Sequence, residues 1–193
     1  MIDKLPYQLK SRKLACENSQ FEVFYDHVKG KEFEVQDYIT VAPKRRHSDN
    51  ITGVAILPVV ERKIALLKIY RHILEDWSWE IPRGFVEPGE DKKQSVAREL
   101  EEETCLLCKE NSMHSLGYLA PDAGILRCRI NIFSAENCHF SKPFTSNELG
   151  HTELRMFSFS EILRMADTSE IQDPYTLTAI YRYDRIQNKR DTL

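Results

Sequence analysis

The sequence predicts an α/β or α+β domain in which strands are mixed with three helices. The run ITGVAILPVV, residues 51–60, is apolar and lies between polar segments, which is typical of a buried strand. Lys92 to Thr104 has apolar residues at helical spacing, and Asp173-Pro174 combines an N-cap aspartate with proline at the first helical position. A chain of 193 residues can form one domain with a small appendage and bury a sizeable core.

Strand-like segments occupy the first half of the chain. Residues 12–42 contain KLACENS, FEVFYDHV and KEFEVQDYITV, whose β-branched and aromatic residues predict a small antiparallel unit. A polar connection, PKRRHSDN at 43–50, follows. GVAILPVV and KIALLKIYR predict two strands joined at Glu61–Arg62. SWEIP predicts a short strand that stops at Pro82, because proline cannot donate a ladder hydrogen bond. The next segment, RGFVEPGED, is expected to be a loop.

The second half of the chain alternates strands with helices. Beyond the helix at Lys92–Thr104, the segments HSLGYLA, RCRINIFSAENC and ELRMFSFS predict strands. EILRMAD predicts a short helix, and the last helix is expected to run from Asp173-Pro174 to about Gln187. Residues 141–151 form a polar loop, a kind of segment that often carries function.

The charge balance and the apolar runs exclude several classes of protein. With 27 Lys+Arg against 30 Asp+Glu, the net charge of −3 gives no electrostatic case for nucleic-acid binding. The N-terminal sequence has no apolar stretch of signal-peptide length, and residues 51–60 are far too few to span a bilayer. We therefore expect a soluble, cytoplasmic protein without nucleic-acid or membrane partners.

The five cysteines are odd in number and scattered, which indicates free thiols in a reducing compartment. Cys105 and Cys108 form a CxxC pair, but a zinc site needs two more ligands at close spacing. Cys128 and Cys138 are too far apart to make a second pair. Buried thiols that pack as small apolar side chains are therefore favoured over zinc ligands.

Three glutamates share one face of the helix predicted at Lys92–Thr104. Glu99, Glu102 and Glu103 follow the i, i+3, i+4 spacing, at the edge of the apolar stripe. Like charges at this spacing repel, and the last helical turn disfavours anions. A divalent cation reverses the sign of this effect, because Mg²⁺ prefers oxygen ligands. The alternative is a solvated acidic face with Arg98 as an ordinary ion-pair partner.

The spacing around this helix carries a family resemblance. Gly84, five residues, Glu90, seven residues and then RELEEETCL from Arg98 to Leu106 resemble the Nudix box. Every fixed position matches except Cys105, which stands where the box has a helix-ending glycine. A cysteine in the left-handed conformation of that glycine costs about 1–2 kcal/mol, unless the helix end is remodelled.

Resemblance to the Nudix hydrolases implies a Nudix-type α/β/α sandwich and a requirement for Mg²⁺ (or Mn²⁺). It also implies that water hydrolyses the pyrophosphate bond of a nucleoside diphosphate derivative. Position in the box implies that the metal ligands are Glu99, Glu102, Glu103 and the backbone carbonyl of Arg83. Glu90 and Arg98 are implied to support them.

The flanking sequence is similar to the ADP-ribose pyrophosphatase branch, in which a small N-terminal β unit pairs with a second subunit. We therefore divide the chain into an N-terminal β unit, 1–48, with roles in dimerisation and substrate contacts, and a Nudix domain, 49–193. Arg71 stands where the branch has a substrate-binding arginine, and Glu80 where it has a glutamate beside the substrate. Arg46 is a candidate to neutralise pyrophosphate, and a solvated basic connector is its alternative.

The chain departs from this branch after the proline that follows the box, here Pro121. The branch often has a glutamate in the next loop, proposed as the base or an extra metal ligand, whereas Arg127 or Cys128 occupies that place here. Glu148, in the polar TSNELGHTE segment, is the candidate catalytic base. Simple solvation is its alternative role.

The leading interpretation is a metal-dependent homodimer that converts ADP-ribose to AMP and ribose 5-phosphate. GDP-mannose or another nucleotide sugar is the alternative substrate, because the altered loop changes the catalytic surroundings. In a different class, Cys105 and that loop favour a weakly active or inactive Nudix domain that senses an ADP-ribose-type ligand. The three intact glutamates, and the lack of room for an output module, disfavour the sensor.

Overall fold

The structure is a computed structural model that describes residues 5–46 and 50–190, without the side chains of 189 and 190. The polar connection predicted at 43–50 lies partly outside these residues. The chain divides into two compact units, the first comprising the chain up to Thr52 together with Ala120–Arg129. The second comprises Gly53–Leu119 and the chain from Ile130 onward. The boundary predicted between residues 48 and 49 stays a prediction, and the sequence did not reveal the assignment of 120–129 to the first unit.

The first unit contains a three-stranded antiparallel sheet of β1 (Tyr7–Glu17), β2 (Phe21–Gly30) and β3 (Glu34–Pro43). The predicted antiparallel unit is confirmed, although its first strand begins before residue 12. The segment 120–129 lies along β3, because Val41 donates its N–H to the Ile125 carbonyl at 2.8 Å and accepts from Arg127 N–H at 2.8 Å.

Within the described residues, the second sheet has seven strands. Five of them follow the order β12-β5-β4-β10-β9, where β4 is Ile51–Val60, β5 Lys63–Arg71, β9 Met113–Leu119, β10 Arg129–Ala135 and β12 His151–Phe157. The strand β6 (Asp76–Glu80) pairs with β5, and β7 (Arg83–Phe85) pairs with β4. A separate short pair joins β8 (Leu106–Leu107) to β11 (His139–Phe140). The expectation of a loop at residues 83–85 was therefore wrong, because β4 supplies ladder partners for this segment.

The helices agree closely with the sequence pattern. The helix α1 is Lys92–Thr104, as predicted, and Asp91 caps it through a capping box with Gln94. The helix α2 is Phe159–Asp167, and α3 is Pro174–Arg190, which starts where Asp173-Pro174 predicts. A short 3₁₀ helix, Glu110–Ser112, precedes β9. None of the described helices is both long enough and apolar enough to cross a lipid bilayer.

Alternate residues of β4 point into two separate cores. Ala55 and Leu57 pack in one cluster with Ile162 of α2 and Ile180 of α3. Val54 and Ile56, with opposite orientation, pack in the other cluster with Val96 and Leu100 of α1. The sheet is therefore covered by α1 on one face and by α2 and α3 on the other, which confirms the predicted α/β/α sandwich.

Cys105 ends α1 in the left-handed conformation that the resemblance assigns to glycine. Its φ and ψ are 59° and 20°, and its N–H donates to the Glu101 carbonyl at 2.9 Å. The helix end is therefore not remodelled, and the cysteine bears the steric cost of this backbone. Its side chain is fully buried, which offsets part of that cost.

The cysteines remain free thiols, as expected. Cys105 Sγ lies 4.0 Å from Thr145 Oγ1, whereas Cys138 Sγ donates to the Ala135 carbonyl at 3.0 Å. Among the residues that the structure describes, no three-ligand group that could hold a metal includes a cysteine. Packing as small apolar side chains stays the favoured role of this CxxC pair, and its lack of zinc stays a prediction.

We expect the Cys105→Gly variant to be more stable than Cys105→Ala by about 1 kcal/mol. Both variants lose the buried sulfur, but only glycine removes the steric cost of the left-handed backbone. Urea unfolding monitored by circular dichroism measures the difference. An alanine variant as stable as the glycine variant would contradict the assigned backbone conformation.

Candidate active site

Two glycines let the carboxylate of Glu99 reach the backbone of β7. A Cβ placed on Gly84 would lie 2.1 Å from the Glu99 carboxyl carbon and 2.1 Å from its Oε1. A Cβ placed on Gly53 of the neighbouring β4 would lie 2.4 Å from the Gly84 carbonyl oxygen. Any larger residue at either position would therefore push apart the strand, its neighbour or the helix. The first glycine of the box is required by this close approach.

Arg98 gathers three carboxylates at the start of the site. Its Nε donates to Glu90 Oε1 at 2.9 Å, and its Nη1 donates to Glu99 Oε1 at 2.7 Å and Glu102 Oε2 at 3.1 Å. Its Nη2 also donates to the Phe85 carbonyl at 2.8 Å. One guanidinium thus connects the loop, the strand and two of the three box glutamates. The supporting roles implied for Glu90 and Arg98 are consistent with this geometry and stay predictions.

Glu90 uses both of its carboxylate oxygens to accept hydrogen bonds within the protein. The hydrogen bond from Arg98, with further ones from Ser95 Oγ at 2.7 Å and the Glu87 N–H at 3.3 Å, lowers the pKa of Glu90 to about 2. The carboxylate is therefore charged at neutral pH, and both of its oxygens accept hydrogen bonds. This leaves Glu90 better suited to orient Arg98 than to accept a proton.

Glu103 carries the least compensated charge at the site. Only 5% of the residue is exposed, and within the described residues its carboxylate accepts one hydrogen bond, from the Arg83 N–H at 3.2 Å. Burial, together with the negative charges of Glu148 and Glu99, raises the pKa of Glu103 to about 9. Burial also raises the pKa of Glu99. Arg98 already pairs with Glu99, so it is Glu103 whose missing positive charge a divalent cation would supply.

The loop before β12 brings two further donors to Glu103. Ligand atoms of Glu103, Glu148 and His151 all lie within 4.8 Å of one another. Gly150 lets the loop turn here, because its φ is +87° and a Cβ would meet the Tyr70 carbonyl at 2.7 Å. Burial lowers the pKa of His151, so its imidazole is neutral at pH 7. The sequence identified Glu148 as a candidate but left His151 without a role.

A second network lies at the ends of β5, β6 and β7. Arg71 binds Glu80 through two hydrogen bonds, of 2.8 Å and 2.5 Å, and Arg83 Nη2 lies 2.9 Å from the same carboxylate. Arg83 also donates to Asp173, which accepts from the Thr176 N–H at 2.8 Å as the N-cap of α3. Burial acts to raise the pKa of Glu80, but the two arginines outweigh it and hold that pKa below its ordinary value. Sequence reasoning found Asp173 as a cap and missed its contact with Arg83.

The predicted site residues fall in both units. Nine of them lie in the second unit. Three of these are Arg71, Glu80 and Glu148. The other six lie in or beside α1 and the loop before it: Arg83, Glu90, Arg98, Glu99, Glu102 and Glu103. Arg46 lies in the first unit, where its Nη1 donates to the Pro43 carbonyl at 2.7 Å and lies 3.8 Å from Glu22. Its contact with a substrate stays a prediction.

An α/β/α sandwich with a buried, glutamate-rich helix against a strand glycine defines the class of this protein. A model of the NUDIX domain matches residues 49–178, and the chain belongs to the NUDIX family. It is accordingly a hydrolase that acts on pyrophosphate bonds.

Two relatives and one solved structure make the similarity more specific. The chain is 30% identical over 141 residues to the ADP-ribose pyrophosphatase of Bacillus subtilis (strain 168), covering 72% of this chain and 75% of that protein. It is 32% identical over 138 residues to the methanol dehydrogenase activator of Bacillus methanolicus, covering 70% and 71%. The crystal structure of an ADP compounds hydrolase covers 98% of both chains with a TM-score of 0.79 and 15% identity, which shows the same fold.

We expect Gly84→Ala to lower kcat for pyrophosphate hydrolysis on the order of 100-fold, because a displacement of about 1 Å near the reacting groups has effects of that size. The added methyl group would displace the Glu99 carboxylate. Phosphate release measures the rate, and circular dichroism checks that the variant folds.

Gly89→Asn is the matched control in the same loop. A Cβ at Gly89 has nothing within 4 Å, and asparagine tolerates its positive φ of 87°. This variant should keep its activity. Equal activity in the two variants would show that the Gly84–Glu99 approach is not needed for hydrolysis.

Proposed function

We propose that this protein hydrolyses ADP-ribose to AMP and ribose 5-phosphate in a metal-dependent reaction. The observation that carries the proposal is the buried Glu103 carboxylate, whose charge is opposed by Glu99 and Glu148 and which accepts a single hydrogen bond among the described residues. Such a group needs a cation nearby to be ionised at neutral pH. The similarity to an ADP-ribose pyrophosphatase supports the choice of substrate.

The donors around α1 fit a hard divalent cation, Mg²⁺ or Mn²⁺. Glu99, Glu102 and Glu103 would hold it, together with the backbone carbonyl of Arg83. When bound, the cation shields the phosphate charge and lowers the pKa of the attacking water. Arg98 orients Glu99 and Glu102 through its shared Nη1. Arg83 fixes Glu103 through its main-chain N–H.

Glu148 is the proposed general base. Its side chain is about half exposed, so water can reach it, and it lies beside Glu103. Glu148 takes a proton from the attacking water as the water oxygen bonds to one phosphorus of the pyrophosphate. The bond from that phosphorus to the bridging oxygen breaks, and the two products are phosphate monoesters.

Arg71, Glu80 and Arg46 are the proposed substrate contacts. Arg71 is held by two hydrogen bonds to Glu80, which leaves its remaining N–H groups free of that carboxylate and keeps the guanidinium in one orientation. This preorganisation suits recognition of a charged or hydroxyl-rich ligand. Arg46, in the first unit, is proposed to neutralise the pyrophosphate charge.

We also propose a homodimer that forms through the N-terminal β unit. One face of this unit has a groove of about 760 Å³ whose lining includes several partly exposed apolar side chains, among them Tyr7, Leu9, Phe33, Val35 and Tyr38. Contiguous apolar surface of this kind marks an association site. The free thiols support a reducing, cytoplasmic location.

The proposed substrate can be tested with a panel that includes ADP-ribose and GDP-mannose, assayed with Mg²⁺ and with Mn²⁺. A phosphatase added to the assay releases phosphate from monoester products. We expect ADP-ribose to be hydrolysed fastest, and Glu103→Gln to reduce its hydrolysis by at least about 100-fold.

Glu101→Gln is the matched control, because Glu101 is exposed on the same helix. This variant should be as active as the unchanged protein. Faster hydrolysis of GDP-mannose would reject ADP-ribose as the preferred substrate. Tight ADP-ribose binding without turnover of any substrate would favour the sensor instead.

We expect the unchanged protein to have about twice the chain mass of 22.6 kDa in solution and the Leu9→Glu variant to have the monomer mass. Burying an unpaired carboxylate in a symmetric interface is strongly unfavourable. Light scattering after size exclusion measures both masses. Lys10→Glu, on the neighbouring exposed residue of β1, is the control and should remain dimeric. A dimer that survives Leu9→Glu would place the interface elsewhere.

A further inference from the structure

We propose that the imidazole of His151 is a nitrogen ligand for a divalent cation at this site, together with one carboxylate oxygen each of Glu103 and Glu148. The second oxygen of Glu148 stays available for its role as the general base. The mixed donor set would make the site select Mn²⁺ over Mg²⁺. This inference rests on the proposed metal-dependent function, since Glu103 belongs to both. It adds a ligand that the Nudix box does not contain.

The separations of the three donors suit one ion. Their ligand atoms lie within 4.8 Å of one another. Ligands on opposite sides of an ion that binds at about 2.1 Å are about 4.2 Å apart, so only small side-chain shifts would close the group. Two of the donors are carboxylates and the third is a ring nitrogen, and a divalent cation would balance the two negative charges.

The His151 ring is buried and lacks a hydrogen bond among the residues that the structure describes. Its side chain is 5% exposed, and the nearest acid, Glu148 Oε2, is 3.7 Å from its Nε2. This separation is too long for a hydrogen bond. The ring nitrogen therefore lies beside the two carboxylates without a hydrogen-bond partner among the described residues.

The backbone holds His151 in this place. It is the first residue of β12 and pairs with Ile69 of β5. The preceding Gly150 accepts from the Tyr70 N–H at 2.9 Å, and the His151 carbonyl accepts from Ser146 Oγ at 2.5 Å. A ring attached to a paired strand is preorganised, as ligands of a specific metal site are.

Ligand chemistry separates the two candidate ions. Mg²⁺ favours oxygen donors and an octahedral shell that keeps several waters. Imidazole suits transition ions better than it suits Mg²⁺, and this holds for Mn²⁺ even though Mn²⁺ is the weakest binder among the first-row divalent ions. Three box glutamates alone would not distinguish strongly between these ions, because both accept oxygen ligands. A histidine nitrogen would favour Mn²⁺ over Mg²⁺.

The decisive measurement is the electron spin echo of Mn²⁺ added to the purified protein. We expect bound Mn²⁺ to show hyperfine coupling to a directly coordinated ¹⁴N, and protein made with ¹⁵N-histidine to replace it with ¹⁵N coupling. The coupling should disappear in His151→Gln and remain in the control His114→Gln, an exposed histidine on β9. Calorimetry should show Mn²⁺ affinity falling about 10-fold or more in His151→Gln, with a smaller change for Mg²⁺.

The outcomes separate this inference from the proposed function. Bound Mn²⁺ and normal hydrolysis without nitrogen coupling would overturn the histidine ligand and leave the metal-dependent function standing. An unchanged protein that binds no Mn²⁺ and hydrolyses nothing would overturn both. The labelled, unmutated protein reports coordination by a histidine whether or not His151→Gln folds, and His151→Asn is a second variant that assigns the coupling to His151.

Discussion

Buried negative charge on α1 is the constraint on which the rest of the site depends. Glu99 and Glu103 lie at the edge of the buried face, next to fully buried Val96 and Leu100. Ionised carboxylates in such surroundings are costly unless positive charge is close. Arg98 provides that charge for Glu99, whose carboxylate therefore has a cationic partner within the helix. Glu103, on the same helix face, lies beside Glu148 and His151, where a cation is the natural complement.

The strand end at Arg83 links this charge to the rest of the second unit. The main chain of Arg83 donates to Glu103, while its side chain binds Glu80 and Asp173. Asp173 in turn caps α3. Helices on opposite faces of the sheet are thus connected through one residue that also carries the proposed carbonyl ligand. Displacement of α3 would be transmitted to Glu103 through the contacts of Arg83 with Asp173 and with Glu103.

Cys105 departs from the box at a position that shapes the end of α1, whereas the glutamates proposed as metal ligands are unchanged. The cysteine occupies the left-handed position that favours glycine, so the helix end keeps its shape at a local steric cost. Its neighbour in sequence, Thr104, is fully buried, and so is Leu106. Packing around the helix end holds the strained residue in place, and the glutamates in the last two turns of α1 keep their orientation.

The sequence by itself determined the features that rest on short-range interactions. The bounds of α1, the start of α3 at Pro174 and the strands joined at Glu61–Arg62 follow from periodicity, capping and turn chemistry, which act over a few residues. Spacing within one helix also placed Glu99 and Glu103 on the same face.

Only the tertiary structure decided which distant groups meet. His151 joins Glu103 from far along the chain, because β12 pairs with β5 and the Gly150 turn directs the ring inward. Residues 120–129 belong to the first unit for a similar reason, since Val41 of β3 supplies their hydrogen-bond partners. A lone histidine and an irregular loop carry no local periodicity, so their partners depend on strand pairing between segments that are remote in sequence.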